Sequence, residues 1–270
     1  MDYLAIVQFS TFIIFGVFAW YLSYLFPMVE YRTEPVHSFD RWYFIIAIAL
    51  IGVHSSYVAP WAGSQILALW PRLADSILSI QAWASQQSVA LRWLEFVLVA
   101  DFLGYFAHRF MHSCLAWRFH SLHHSTTSVN WLSGVRGTPI HYVVIVSPTL
   151  LANHLFMNGL GFWPAFGFIV FDILNQQFCH SNVRIKFAKQ LEYLLVTPRM
   201  HFVHHHPIAQ YTDSNYGLYF SIWDRLFGTY VDADSVEPKG LLGLDYHETE
   251  WSGFFGLNRR TYPHREKERT

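Results

Sequence analysis

Charged side chains are absent from three long stretches of the chain. Residues 3–29, 42–71 and 137–171 contain no Asp, Glu, Lys or Arg. One helical crossing of a bilayer needs about 20 apolar residues, so each stretch is long enough to span a membrane. A fourth apolar segment, residues 91–106, carries two acidic residues, which within such a segment are functional candidates. We therefore expect an all-α protein, a polytopic membrane helical bundle.

The longest of these stretches is predicted to form a membrane hairpin at about residues 141–178. Histidine clusters lie on both sides of it, and if they meet at one site the chain between them crosses the bilayer an even number of times. Asn158–Gly161 supplies helix-breaking residues in the middle. Lys and Arg are concentrated in the flanking segments, which by the positive-inside rule places the histidines and the C-terminus in the cytosol.

The first stretch lacks the basic start and the small-residue cleavage site of a signal peptide, so we interpret it as a retained helix. This predicts three regions. Residues 1–92 hold the N-terminal transmembrane helices and their connection, residues 93–230 the catalytic region with the hairpin, and residues 231–270 a polar cytosolic tail. The polar segments are expected to form a helical cytosolic cap.

Composition supports a membrane protein and argues against nucleic acid as a partner. Only 14% of residues are charged, against about 25% in soluble domains. The net charge of -1 provides no basic surface for nucleic acid. Two cysteines cannot build a disulfide framework. The unusual count is 16 histidines, nearly as many as the 18 Lys and Arg together.

Eight of these 16 histidines fall into three short boxes: His108–His112, His120–His124 and His201–His205. The first box has histidines at i and i+4 and the other two at i, i+3 and i+4, spacings that place the imidazoles of each box on one face of a helix. Thr197 and Pro198 predict a helix start before the third box, and Pro207 prevents its continuation. The boxes contribute eight candidate metal ligands: His108, His112, His120, His123, His124, His201, His204 and His205.

The other histidines have plainer interpretations. His206 lies about 100° from His205 on a helix and is interpreted as a spare. Structural roles are expected for isolated histidines, namely His37, His54, His154, His247 and His264. Asp101 precedes His108 by two helical turns and is a candidate to orient a ligating ring. Asn182 is a further candidate near the boxes, and Arg136 and Arg199 are candidate contacts to a lipid headgroup, to the site or to the membrane interface.

Eight imidazoles are too many for one ion but suit two ions with four or five nitrogens each. Imidazole binds Fe, Zn, Cu and Ni alike, so ligand type does not identify the metal. A two-metal site beside lipid-facing helices is well placed to attack an unactivated C–H bond. Iron with O2 performs that chemistry, whereas zinc has no redox chemistry.

The pattern resembles the fatty acid hydroxylase/sterol desaturase superfamily of integral-membrane di-iron oxygenases, whose hallmark is HxxxH, HxxHH and a distant HxxHH. The likeness extends from about Asp101 to Tyr230 and is strengthened by Phe178–Asn182, Asp213–Gly217 and Trp223–Tyr230. The last two segments resemble the branch of alkylglycerol monooxygenases and bacterial sterol-desaturase-like proteins. The resemblance implies two non-haem iron ions and adds His180 as a ninth ligand.

One position departs from that family. Thr138 stands where many members have a histidine, and His141 follows three residues later. We leave His141 outside the ligand set.

The resulting hypothesis is an O2-dependent hydroxylase of a lipid, whether fatty acyl, ether lipid or sterol-like. A desaturase using the same centre is the alternative, and a membrane metal transporter or metal-binding protein is the alternative from another class. No flavin or nicotinamide fingerprint is visible in the sequence. Electrons are therefore expected from a separate donor such as ferredoxin, cytochrome b5 or a reduced pterin.

Overall fold

Helices provide nearly all the regular structure. The computed structural model describes residues 3–28, 38–128, 130–160, 162–236, 242–246 and 250–257. Within those ranges no β-strand forms, and the only extended pairings are isolated bridges of Pro27 with Val183 and of Leu195 with Phe220. The all-α prediction is confirmed for this part of the chain.

Long helices make up the apolar half of the molecule. They are α1 Tyr3–Leu25, α2 Ser38–Val53, α3 Ala59–Leu69, α4 Pro71–Ser85, α5 Val89–Met111, α7 Pro139–Phe156 and α8 Phe162–Cys179, with a π-helical turn His54–Val58 joining α2 to α3. The remaining helices are short: α6 Trp117–His124, α9 Ala188–Leu191, α10 Pro198–His204, α11 Ala209–Thr212, α12 Ile222–Leu226 and α13 Glu250–Phe254.

Two helical segments, Trp42–Leu69 and Pro139–Phe156, are long and apolar enough to cross a membrane, and Ser10–Leu25 is a shorter apolar helix. Their surfaces remain largely apolar and exposed: Trp42 is 72% exposed and Leu69 is 76% exposed. Extended apolar surface of this kind is typical of a region that contacts a membrane or another protein.

The predicted break in the long apolar stretch is present between α7 and α8. Gly159 has φ of +76°, a left-handed conformation that favours glycine. The chain therefore turns here, just after the end of α7. The Arg92 guanidinium fixes this turn by donating to the carbonyl oxygens of Phe156 and Asn158, each at 2.6 Å. A cation inside the apolar helix α5 is thus used to satisfy the carbonyl groups at the end of α7.

The long helices pack against one another in pairs. α5 packs along α7, and α1 packs along α8. Arg136 is buried and forms an ion pair with Asp40 at 2.6 Å, so it joins α2 to the segment before α7. It does not face a lipid headgroup, because both side chains are almost completely buried. Arg199 likewise pairs with Glu192, at 2.7 Å.

Candidate metal centre

Four separate elements bring the three histidine boxes and His180 together. The first box lies at the C-terminal end of α5, the second occupies α6, and the third occupies α10. α10 begins and ends as predicted: the Thr197 side chain accepts from the Met200 amide, Pro198 is the first helical residue, and the helix stops before Pro207. His180 follows α8 directly, so the fourth element also ends at the site.

Nine imidazoles form two groups. Within each group one nitrogen per ring lies within 4.8 Å of every other, and every ring is buried. The first group is His108, His112, His120, His124 and His204, and the second is His123, His180, His201 and His205. The two groups adjoin, since the rings of His124 and His205 stack with centroids 4.5 Å apart.

Burial keeps these rings neutral. Burial, and secondarily the neighbouring imidazoles, holds the pKa values of the histidines on α6 and α10 well below the usual 6.5. These histidines are His120, His123, His124, His201 and His204. Burial also lowers the pKa of His180 to about 4. A neutral imidazole keeps a lone pair on one nitrogen, which is the form that binds a metal.

The outer nitrogens of four rings face backbone carbonyls. The Nδ1 atoms of His108, His204, His123 and His180 lie 2.8 to 3.2 Å from the carbonyl oxygens of Tyr216, Ser214, Arg136 and Gln176 respectively. A carbonyl oxygen only accepts hydrogen bonds, so each of these Nδ1 atoms carries the proton. Each Nε2 atom is consequently an acceptor that points into the site.

His123 and His180 show that the site suits a cation. Their Nε2 atoms lie 3.4 Å apart, and both are acceptors by the preceding argument. Two acceptors cannot form a hydrogen bond with each other. A metal ion between inward-facing lone pairs satisfies them all at once, so the residues present fit a bound metal.

Several ring nitrogens at the site have no hydrogen-bond partner among the described residues. They belong to His112, His124, His204 and His205. Buried polar atoms in native proteins are nearly always satisfied, and those that are not need an explanation such as an ion. Bound metal would satisfy those of these atoms that face into the site.

One segment, Asp213–Gly217, accepts hydrogen bonds from two rings of the first group and lies close to a third. The Ser214 carbonyl accepts from His204 and the Tyr216 carbonyl accepts from His108. Asp213 Oδ1 lies 3.5 Å from His112 Nδ1. Asn215 between them has φ of 54° and is fixed by hydrogen bonds to Met200 and Val231. The family resemblance drew attention to this segment, but nothing in the sequence pattern indicated its role.

Two buried carboxylates accept hydrogen bonds from the backbone amides of residues 216–220. Asp224 accepts from the amides of residues 216 and 217. Asp101 accepts from the amides of residues 218, 219 and 220 and from the Trp223 indole, at 2.8 to 3.2 Å. The prediction that Asp101 orients His108 therefore needs correction. Asp101 reaches that ring only indirectly, because it holds the segment that carries the Tyr216 carbonyl.

His141 lies outside both groups but contacts the first. Its Nδ1 atom is 2.9 Å from Nδ1 of His120, and the two rings stack. Thr138 caps the start of α7 by accepting from the His141 amide. His141 therefore contacts the outer nitrogen of His120, a candidate ligand, and does not join the imidazole group itself.

The other sequence candidates lie away from the groups or have other partners. His206 is buried outside both groups and its Nδ1 accepts from the Ile208 amide. His54 bonds Ser147, and His154 bonds Gln81. The Asn182 carbonyl accepts from the Met28 amide, and a role for its side chain at the site stays a prediction. The remaining isolated histidines, His37, His247 and His264, lie outside the described residues.

The comparisons with known proteins point to one family. The fatty acid hydroxylase family model matches residues 93–229, about half of the chain. Alkylglycerol monooxygenase from Xenopus tropicalis is 33% identical over 165 residues, which are 57% of this chain and 33% of that protein. Ornithine lipid hydroxylase OlsE from Rhizobium tropici is 30% identical over 190 residues, 68% of this chain and 56% of that protein.

A fatty acid hydroxylase, vlmA from a Lecanicillium species, is 29% identical over 165 residues, 53% of this chain and 43% of that protein. The chain thus spans between a third and somewhat more than half of the length of these relatives. No solved structure matches the chain. The matched region contains all nine imidazoles of the two groups.

Proposed function

This chain belongs to the fatty acid hydroxylase family, and from that membership we propose that it is a membrane-bound oxidoreductase that uses O2 to hydroxylate a C–H bond of a lipid. The observation that supports this most strongly is the pair of imidazole groups, in which His123 and His180 direct acceptor nitrogens at each other from 3.4 Å. Such an arrangement suits a cation and does not suit a metal-free packing role.

Two non-haem iron ions are the proposed cofactors. One would be held by the first imidazole group and the other by the second. Iron supplies O2-dependent redox chemistry there, which zinc lacks. The protein orients the ligands in advance: the carbonyls of Gln176, Ser214 and Tyr216 fix which nitrogen of each ring faces inward. Burial keeps the rings unprotonated and limits the access of water.

The substrate is proposed to be a lipid of fatty acyl, ether lipid or sterol-like type. The relatives include proteins named for alkylglycerol, ornithine lipid and fatty acid oxidation, so lipid is the shared element of their names. Electrons would come from an external donor, for which ferredoxin, cytochrome b5 and a reduced pterin are the candidates.

The proposed topology follows the three regions. Residues 1–92 provide transmembrane helices, residues 93–230 carry the catalytic region with a membrane hairpin at about 141–178, and residues 231–270 form a polar cytosolic tail. The site and the tail lie on the cytosolic side in this multi-pass arrangement. Exposed cations on the polar segments support that orientation, namely Arg109, Arg118, Arg184, Lys186 and Lys189.

Metal analysis and turnover of the purified chain test this proposal. We expect about two iron ions per chain, since nine imidazoles supply four or five nitrogens to each ion. We also expect O2 consumption that depends on a reductant and lipid, with an alcohol as product. An alkene product would instead identify a desaturase. Metal flux into liposomes without turnover would identify the transporter alternative and overturn the proposal.

A further inference from the structure

Exposed apolar side chains form a row along α5. They occupy every fourth position of the helix and are Leu94, Leu98, Phe102, Phe106 and Phe110. Residues four apart share one face of a helix, so the row is continuous over about 24 Å at 1.5 Å per residue. α5 also packs along α7, one of the two segments long and apolar enough to span a membrane. A row of this length beside such a span suits contact with lipid.

Helix α12 and the residue that follows it extend this row. The Phe227 ring lies against Phe106 and the Trp223 ring lies against Phe102, each with centroids 5.1 Å apart. On its free side α12 leaves Leu226 67% exposed. The apolar surface therefore does not end with α5 but passes onto a short helix of the polar segments.

The chain that leads into α10 continues the same surface. The Ser221 amide donates to the Leu194 carbonyl at 3.0 Å, and Leu195 forms an isolated bridge with Phe220, so residues 187–195 lie beside α12. The large apolar side chains that this chain exposes are Phe187, Leu191, Tyr193, Leu194 and Leu195. Residues 184–195 and 222–227 together are termed the cap surface.

Charges on the cap surface are separated by sign. Its two carboxylates, Glu192 and Asp224, are fully buried and accept hydrogen bonds inside the protein. The charged side chains that it exposes are all basic: Arg184, Lys186, Lys189 and Arg225. Of these, Lys189 pairs with the carboxylates of residues 232 and 234. An apolar surface edged by basic side chains matches the acyl boundary and the negative headgroups of an anionic bilayer.

A bilayer fits the cap surface better than a protein partner does. The Arg225 guanidinium lies over the Tyr193 ring, with Cζ 4.8 Å from the ring centroid. Side chains with an apolar body and a polar tip are typical of the membrane–water interface. The cap surface is also continuous with the α5 row, which lies beside a candidate span, so a membrane that surrounds that span also reaches the cap surface.

We propose that the cap surface lies in the interface of an anionic bilayer, with its apolar side chains at the acyl boundary and Arg184, Lys186 and Arg225 at the headgroups. This inference rests on the proposed membrane topology but not on the proposed reaction. It places part of the polar segments in the membrane surface and not in the cytosol. The third histidine box begins six residues after Leu195, so the bilayer contacts the segment that leads into three candidate ligands.

Nitroxide labels on single cysteines of the full chain in lipid nanodiscs test this placement. The background carries Cys114→Ser, and Cys179 is buried. Labels are attached at Leu226→Cys, at Ile45→Cys within a candidate span, and at Ser235→Cys, which is exposed outside the cap surface. We expect the label at 226 to collide with O2, which dissolves in lipid, and to be protected from a water-soluble nickel chelate, as at 45. The label at 235 should show the reverse.

The three labels separate the ways in which the inference can fail. Nickel access at 226 equal to that at 235, with position 45 protected, would overturn it and identify a protein or a second copy as the occupant. Nickel access at 45 would overturn the membrane topology as well. Iron content and turnover are measured in parallel, so a chain that lacks both while position 226 stays protected refutes only the proposed function.

Two glutamine variants test the choice of an anionic lipid. Phosphatidylglycerol in place of phosphatidylcholine should lower nickel access at 226. In the anionic discs Lys186→Gln should raise the ratio of accessible to protected label about fivefold, the value of one cation near an anionic surface. Arg118→Gln, at an exposed position of α6 outside the cap surface, should leave this ratio unchanged. Equal effects of the two variants, or equal nickel access in the two lipids, would contradict the proposal.

Discussion

His120 and His141 share a hydrogen bond between their Nδ1 atoms, 2.9 Å apart, although only His120 belongs to an imidazole group. One of the two Nδ1 atoms must carry the proton, and a ligating role for Nε2 of His120 requires that the proton sit on its Nδ1. His141 then accepts it. The ring on α7 thereby fixes both the rotation and the tautomer of the ring on α6.

His141→Ala should consequently weaken iron binding at the first group without removing a ligand. Loss of a partner of this kind typically costs about 10- to 100-fold in metal affinity or activity. His141→Asn presents an amide oxygen near the position of Nδ1 and should recover part of the loss. Ile140→Ala, at an exposed neighbouring position, is the control. Unchanged iron affinity in His141→Ala would show that His120 is held by its packing alone.

Loss of a proposed ligand should have a larger effect. His123→Ala removes one of four nitrogens from the second group and leaves the His180 lone pair without its partner across the site. We expect turnover to be abolished and bound iron to fall while membrane insertion is retained. His204→Ala should do the same for the first group.

The control for both ligand variants is His154→Ala, because His154 lies outside both imidazole groups and hydrogen-bonds to Gln81 of α4 at an exposed contact. Iron content by elemental analysis, measured together with turnover, separates a lost ligand from a misfolded chain. Normal turnover in His123→Ala or His204→Ala would remove that residue from the proposed site.

Sequence spacing predicts local relationships well. The i, i+3 and i+4 pattern places each box on one helix face, and the Thr197–Pro198 start and the Gly159 break depend on neighbouring residues only. It was also sufficient to select eight of the nine grouped imidazoles. His180 stands alone in its segment, so only the family resemblance indicated it.

Contacts between distant segments do not follow from local spacing. Asp101 lies two turns before His108 on the same helix, which made a contact between the two plausible, yet its carboxylate accepts from amides 117 to 119 residues away. The charge of a buried carboxylate is stabilised best by several donors at once, and the backbone amides of residues 218–220 provide three. No periodic pattern encodes such a pairing, because it depends on how two separate segments fold against each other.

The metal-free protein should lose stability in mild acid. The histidines of α6 and α10 have pKa values well below 6.5 when folded, mainly because of burial, and near 6.5 when unfolded. Below about pH 6.5 the unfolded chain thus binds more protons than the folded chain, and the free energy of unfolding falls. Each such histidine contributes about 1.4 kcal/mol per pH unit in this window.

Thermal unfolding of chelator-treated protein, followed by circular dichroism between about pH 8 and about pH 5, measures this effect. The melting temperature should be nearly constant above about pH 7 and fall steeply below about pH 6. Added Zn2+ should raise it at neutral pH without restoring turnover, because zinc occupies imidazole sites but has no redox chemistry. A flat profile through this range would mean that the imidazoles are not buried as neutral groups.

Asp101→Asn should destabilise the centre from a distance. The asparagine side chain keeps one acceptor oxygen, but an NH2 group replaces the carboxylate oxygen that accepts from the Phe220 amide and the Trp223 indole. That NH2 group then faces two other donors. Hydrogen bonds to a charged group contribute about 1.5–3 kcal/mol each, so a clear drop in melting temperature is expected. Iron affinity should fall as well, because the segment that positions the Ser214 and Tyr216 carbonyls is released. Asp75→Asn, on the exposed side of α4, should change neither quantity. If Asp101→Asn retained wild-type stability and iron content, the hydrogen bonds from the amides of residues 218–220 to Asp101 would have no part in orienting the histidines.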